Sequence, residues 1–282
     1  MYADDPADLV MERMSAAIYK GSSLARPILG KKSTLEKMTG QWLKEYKQSH
    51  YTPDRVVVSL AGSFEDAFVE ELMERFAAME PGHLKPGKPA VYHPAMTLKR
   101  KATEQNHLLL TFPSISDTDP RRFPMQLLSS ILGGGMSSRL FQRIREEMGA
   151  AYSVYSFPST YTNCGTFTVY AGTSPETAQK VADELHHQIR LLCENGVTQE
   201  EFDMAKEQLK VSYVLGLESS SARMSAIGRS KLLRGHAVDP QDVIRKIEAV
   251  TKEDVERVAH RMFGRPFSAS AVGRNIDGLK LM

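Results

Sequence analysis

Three consecutive glycines, Gly133-Gly134-Gly135, end an apolar run and open the stretch GGGMSSRLFQRIREEMGAAYSVYS. Glycine carries no Cβ, so another group can lie close against such a backbone. A phosphate cradle would need G-x-x-x-x-G-K-[ST], or G-x-G-x-x-G after a strand. This run follows a helix-like segment and has no lysine, which argues against nucleotide binding and leaves a helix-ending glycine cluster as the alternative. Of the eight histidines, His50, His83, His93, His107, His236 and His260 are isolated. His186 and His187 are adjacent; on a helix they diverge by about 100° and do not chelate one ion together. Cys164 and Cys193 lack metal-ligand spacing and any neighbouring His/Asp pattern for a thiol nucleophile. Ser219-Ser220-Ser221 reads as a loop or helix cap.

The 282 residues suffice for one large domain or two ordinary ones. With 36 basic against 34 acidic residues the chain is too balanced for a nucleic-acid surface. Lys99-Arg100-Lys101 is the one tight basic run and reads as a solvated face. The first six residues are acidic, with no apolar core of a signal peptide. No stretch approaches the roughly 18 apolar residues of a membrane span. Two unpatterned cysteines make a reducing cytoplasm the expected location.

Asp4-Asp5-Pro6 opens a helix, with a capping carboxylate and proline in the first turn; Leu9, Val10, Met14, Ala17 and Ile18 follow at helical spacing. A loop over 21–30 precedes a helix capped by Ser33 and carrying Leu35, Met38, Trp42, Leu43 and Tyr46. RVVVSLA, Arg55 to Ala61, reads as a buried strand, and Phe64 to Met79 returns to helical period. Four prolines and two glycines between Glu80 and Pro94 mark a linker. Beyond it come a strand over 107–112, a helix from Asp119-Pro120 to Leu132, and paired antiparallel strands over 151–160 and 165–171. A long helix starts at Ser174-Pro175, and the capping box Thr198-x-x-Glu201 opens the next. Helices near 219–234, 240–249 and 252–263 and a strand over 267–272 close the chain. The fold class expected is α+β: a mixed or antiparallel sheet with helices on one face over 95–282, a linker over 80–94, and over 1–79 the tail of a similar domain.

These residues resemble the pitrilysin/insulinase-type zinc metallopeptidases, including mitochondrial processing peptidases and their bacterial two-domain relatives. The resemblance rests on Met1-Tyr2-Ala3-Asp4-Asp5-Pro6, on Pro27-Ile28-Leu29-Gly30 with Tyr51-Thr52-Pro53-Asp54-Arg55-Val56-Val57-Val58, and most specifically on Leu132 to Tyr155. It spans essentially the whole chain but about two thirds of a complete member. It implies a zinc-dependent endopeptidase that cleaves peptides in a chamber between two homologous halves. The catalytic motif of that family is H-x-x-E-H with a distal glutamate, its glutamate serving as general base. Neither H-x-x-E-H nor H-E-x-x-H occurs here, and by the resemblance the distal glutamate falls just before Met1. Zinc is therefore expected for the full-length family and none for this chain, which is expected to be inactive alone.

What the resemblance carries over is the substrate-holding half. In the pattern R-E-E-x-G-x-A-Y, Arg145 would hold a substrate carbonyl and Tyr152 would orient the scissile peptide, with Gly133, Gly134 and Gly135 beside the chamber. A guanidinium donates to carbonyl oxygens, and a tyrosine hydroxyl stabilises a developing oxyanion. The competing reading pairs Arg145 with Glu146 or Glu147 and packs Tyr152 in a strand. Three identities stay open: a peptidase lacking its catalytic front, a non-catalytic partner of a zinc-bearing homologue, or a peptide-binding module. Expected partners are a peptide or unfolded polypeptide and a second copy or zinc-bearing homologous subunit, with no nucleic acid and no membrane. An open sheet edge and an uncovered apolar helix face are expected before Gly62.

Overall fold

The computed structural model describes residues 5–82 and 88–282. Met1 to Asp4, which carry part of the resemblance, lie outside the described residues, as do His83 and the rest of 83–87 in the expected linker. The chain forms two compact units: Met1–Pro27, Lys88–Leu209 and Lys246–Met282 make the first, Ile28–Gly87 and Lys210–Arg245 the second.

The first unit is built on a five-stranded mixed sheet. Its strands are β1 (Met96–Arg100), β2 (Asn106–Ser114), β3 (Ala151–Thr160), β4 (Gly165–Thr173) and β5 (Ser268–Gly273), in the order β1-β5-β2-β4-β3. All pairs are antiparallel except β1 with β5. β1 takes in part of the basic run read as a solvated face; Lys99 and Arg100 are exposed there. Side chains alternate across a strand. Leu108, Leu110 and Phe112 therefore share one face with Ala171, Val169 and Phe167, and Leu109, Tyr170 and Val272 share the other.

Helices α5 (Arg122–Gly133), α6 (Ala178–Asn195) and α10 (Lys252–Phe263) cover the first face. Phe263 of α10 meets Phe112 and Phe167 edge-on, with ring centroids 4.8 and 5.8 Å away. Thr251 and Asp254 close a reciprocal capping box at the start of α10. The second face is covered by α1 (Pro6–Ile18), whose N-terminus is capped by Asp5 with Oδ1 accepting from Ala7 N at 2.8 Å. Val10, Met14 and Ile18, four residues apart, form one stripe and pack with Tyr19 on Leu109, Tyr170 and Val272. Among the described residues no strand precedes this helix, and the sheet of the first unit receives its apolar stripe.

In the second unit, the helix expected from Ser33 to Tyr46 is two helices, α2 (Lys32–Leu35) and α3 (Gly40–His50). Thr39 ends the continuity because its Oγ1 accepts from Trp42 N at 3.1 Å and caps a new helix. Helix α4 (Asp66–Ala77) forms as expected, and α8 (Ser220–Arg234) is capped by Ser219. α7 (Gln199–Gly216) and α9 (Pro240–Glu248) complete the helices, their residues divided between the units at Leu209 and Lys246. The strand expected at Arg55 to Ala61 does not form: Pro53–Arg55 is a 3₁₀ turn, and Val56 to Ala61 lies in no ladder. Strand propensity needs a neighbouring strand to become a ladder, and no strand lies in the described part of this unit. Ser59 Oγ instead donates to Met224 O of α8 at 2.7 Å. No residue of α3 or α4 is buried, and Trp42, Leu43, Phe68 and Met73 are exposed. The uncovered apolar surface expected before Gly62 thus lies on α3, and a further one lies on α4.

Two predictions follow from the α1 face. Met14→Ala should lower stability by about 3 kcal/mol, read as a fall in the urea midpoint without a change of slope. His107 is buried on this face, 2.7 Å from the Tyr170 hydroxyl. Burial holds its pKa below the ordinary 6.5, with the Asp5 carboxylate opposing. As pH falls through 6.5 the unfolded chain takes up this proton first. The stability associated with neutral His107 is therefore full above that value and lost below it. The urea midpoint should fall between about pH 7.5 and about pH 5.5, and by less in His107→Gln.

Candidate functional site

The stretch from Gly133 to Tyr155 passes from the end of α5 into edge strand β3. Gly133 is buried where α5 touches β3: a Cβ there would stand 2.5 Å from Ser156 N and 2.9 Å from Tyr155 C. Ser129 Oγ donates to Ser156 O and Ser156 Oγ to Ser129 O, both at 3.0 Å, so helix and strand are joined reciprocally. At Gly134 a Cβ would stand 2.5 Å from Ser130 Cα. Gly135 is open, with only the Gln208 amide 3.9 Å from a Cβ position. The first two glycines answer to packing, the third to no contact of that kind.

The segment after the glycines is held at two points. Gln142 Nε2 donates to Met136 O at 2.6 Å. Arg139, half-buried, grips Glu201 of α7 with both carboxylate oxygens, at 2.6 and 2.7 Å, and also donates to Gly196 O at 2.9 Å. Such a two-point fork fixes direction as well as distance. Arg139 escaped the sequence reading because its partner lies 62 residues away; only the capping role of Glu201 was visible, and that too is present.

Residues Phe141–Glu147 then form a π-helical turn, its widened spacing continued where Met148 N donates to Arg143 O at 3.1 Å. Ile144 is fully buried and anchors the turn. Arg143 takes Glu147 at 2.6 Å and Glu184 at 3.1 Å. Arg145 is left exposed, its guanidinium 4.9 Å from the Phe141 ring centroid, with no hydrogen bond or ion pair among the described residues. The ion pair with Glu146 or Glu147 raised as its competing reading is not made.

Strand β3 starts on a second irregularity. Ala151 pairs with Thr173 and Ser153 with Gly172, so Tyr152 is the extra residue of a β-bulge and is 71 % exposed. Its side chain makes no hydrogen bond among the described residues. The strand packing offered as its alternative role is absent. π-turns and bulges each disturb a regular ladder and recur where a side chain is re-aimed at a functional site. Thr173 Oγ1 and Thr177 Oγ1 hold Ala150 O at 2.6 and 3.1 Å, pinning the entry to the strand. Further along, Tyr155 is partly exposed and stacks on Tyr170, centroids 4.7 Å apart. Because β3 is the last strand of the sheet, its outer side has no ladder partner among the described residues. No hydrogen bond joins Arg145 to Tyr152 among the described residues.

The residues present do not fit a zinc ion. Among the described residues no three His, Cys, Asp or Glu side chains gather at metal-binding distance. His186 Nε2 lies 3.1 Å from Leu281 O, and His107 is engaged with Tyr170. Nor is any helix of the described residues long and apolar enough to cross a membrane.

The described residues thus combine a five-stranded mixed sheet, helices on both of its faces and a close glycine contact between α5 and β3. Residues 37–209 match the family model described as the peptidase M16 inactive domain. The chain belongs to the M16 peptidase family. It is 37 % identical over 274 residues to YmxG, an uncharacterized zinc protease of Bacillus subtilis, covering 96 % of this chain and 67 % of the relative. It is likewise 37 % identical over 287 residues to the uncharacterized zinc protease SCO5738 of Streptomyces coelicolor, covering 97 % and 62 %. The chain thus spans about two thirds of the length of the curated relatives it matches. Its fold is that of a peptidase M16 inactive domain from Pseudomonas fluorescens (TM-score 0.87, 22 % identity, 96 % of this chain and 66 % of that one). A protease from Helicobacter pylori shares it (TM-score 0.85, 19 % identity, 96 % and 68 %).

The glycines can be separated by substitution. Gly133→Ala should cost about 1–3 kcal/mol by forcing α5 off β3, whereas Gly135→Ala should stay within about 0.5 kcal/mol. Denaturant melts of the two variants check this; equal effects would mean that the helix–strand contact is not what demands Gly133.

Proposed function

We propose that this chain is the substrate-holding part of an M16-type peptidase. In this reading an extended peptide lies along the outer side of β3, with Arg145 donating to a peptide carbonyl and Tyr152 orienting the neighbouring bond. The observation that carries it is the pairing of two backbone irregularities with two side chains. Arg145 on the π-helical turn and Tyr152 on the bulge are both exposed, and neither side chain makes a hydrogen bond or ion pair among the described residues, Arg145 resting only against the Phe141 ring. An open strand edge supplies backbone donors and acceptors in the pattern a peptide needs, and Tyr155 adds an aromatic surface beside it.

The chemistry of cleavage belongs to polypeptide outside this sequence. Supporting this are the absence of H-x-x-E-H from the chain and its coverage of about two thirds of the zinc proteases it resembles. That polypeptide is either a catalytic front encoded with the chain or a zinc-bearing homologous subunit. The exposed Trp42, Leu43, Phe68 and Met73 favour a protein surface that expects cover, in either case. Translation of the reading frame upstream of Met1 separates the two: H-x-x-E-H there identifies a front, and its absence with co-purification of a zinc-bearing homologue identifies a partner.

The purified chain should bind an extended fluorescent peptide without cleaving it and without zinc. Arg145→Ala should weaken that binding about tenfold, the loss of one charge-assisted hydrogen bond, and Tyr152→Phe by less. Binding indifferent to both substitutions would defeat the β3 reading, and one equivalent of tightly held zinc on metal analysis would defeat the division of labour.

A further inference from the structure

A second charged site lies in the first unit, at the other end of β3 from Tyr152. A cavity of about 260 Å³ opens among the end of β2, the loop leading to α5, the β3–β4 turn and the last turn of α10. Its charged lining is Arg121, Arg261, Arg265 and one carboxylate, Asp119. That carboxylate is already answered: Arg121 donates to both its oxygens, Nε to Oδ1 at 2.8 Å and Nη2 to Oδ2 at 2.5 Å. The Arg121 hydrogen bonds hold Asp119 below the ordinary carboxylate range, Arg261 adding to the effect, so Asp119 stays ionised and neutralises one guanidinium.

Two positive charges remain. Arg261 and Arg265 are exposed, four residues apart, and neither guanidinium makes a hydrogen bond or ion pair among the described residues. A cation in the last turn of a helix offsets the partial negative charge of its carbonyl end, about half a unit. That accounts for part of one arginine and leaves the cavity positive. Val258 and Met262, both nearly buried, supply an apolar wall below the charges. The volume is that of one amino-acid residue rather than a cofactor, and planar guanidinium groups match the two oxygens of a carboxylate.

We propose that this cavity binds the carboxylate of a peptide, its C-terminal residue in particular, with the two oxygens on Arg261 and Arg265 and the side chain against Val258 and Met262. The site would anchor a chain end at a distance from Arg145 and Tyr152. It goes beyond the β3 reading and does not depend on it.

Fluorescence anisotropy with the whole protein tests this, using a labelled hexapeptide ending in leucine as the free acid, the same peptide amidated, and an amidated peptide ending in glutamate. The free acid should bind at least about tenfold more tightly than the amide. That preference should disappear in Arg261→Gln/Arg265→Gln, whose melting temperature should match the parent because both side chains are exposed. A glutamate peptide that binds as the free acid does, and loses binding in the double variant, would uphold the carboxylate site with a side chain as its source. Equal binding of acid and amide, or an acid preference that survives the double variant, would overturn it. So would inorganic phosphate displacing nothing at tenfold excess over the peptide while the double variant binds normally. Arg145→Ala should weaken all three peptides alike and leave the acid preference intact, so failure of the β3 reading and failure of this one give different results.

Discussion

The central strands β2 and β4 are buried on both faces, one of them apolar and the other mixed with His107, Thr111, Thr166 and Thr168, and the first unit is arranged around the need to cover both. β4 is buried along its whole length and β2 along all but its last two residues. Leaving the first face wet would expose several leucine, valine and phenylalanine side chains, at roughly 1.5–3 kcal/mol each, and leaving the second wet would expose Leu109, Tyr170 and Val272. The C-terminal helices cover one side. The other is covered by α1, a helix that belongs in sequence to the opposite end of the chain and meets the sheet through Val10, Met14 and Ile18. The same requirement explains Gly133: covering the first face brings α5 so close to β3 that no Cβ fits between them.

The candidate site is a consequence of that tight seam. Once α5 and β3 are locked by the reciprocal serine bonds, the residues between them must close a fixed gap. They do so with a π-turn held by Ile144 and the Arg139–Glu201 fork, and a bulge at the strand entry. Both irregularities push a side chain outward. Of the nearby acids, Arg143 takes Glu147 and Glu184, and Glu146 makes no ion pair with Arg145 among the described residues. The result is an exposed guanidinium and an exposed phenol near the start of β3, neither of them packed into the core.

Most of the architecture was legible from residue patterns, because local signals decided it. The carboxylate cap at Asp5, the capping box at Thr198 and Glu201, and the alternation in the paired strands all appear where their residues stand. The departures have two causes, partners that are missing or distant and one local cap. The RVVVSLA segment has strand composition but finds no strand to pair with in its unit. The 33–46 segment has helical period but carries a better cap at Thr39 than the continuity it interrupts. The helix that opens at Pro6 meets a sheet that begins some ninety residues later, a pairing no local signal announces.

Sequence alone determined the family, the absence of H-x-x-E-H and the mixed α+β character. These depend on residue type and short spacing, which a linear reading preserves. Only the tertiary structure decided which face α1 covers, which glycines are packing glycines, that Arg145 escapes its neighbouring acids, and that Tyr152 sits on a bulge. Each of those turns on a contact between residues distant along the chain, or on a competition for one acid among several arginines. Such outcomes are set by three-dimensional proximity, which spacing along a sequence does not contain.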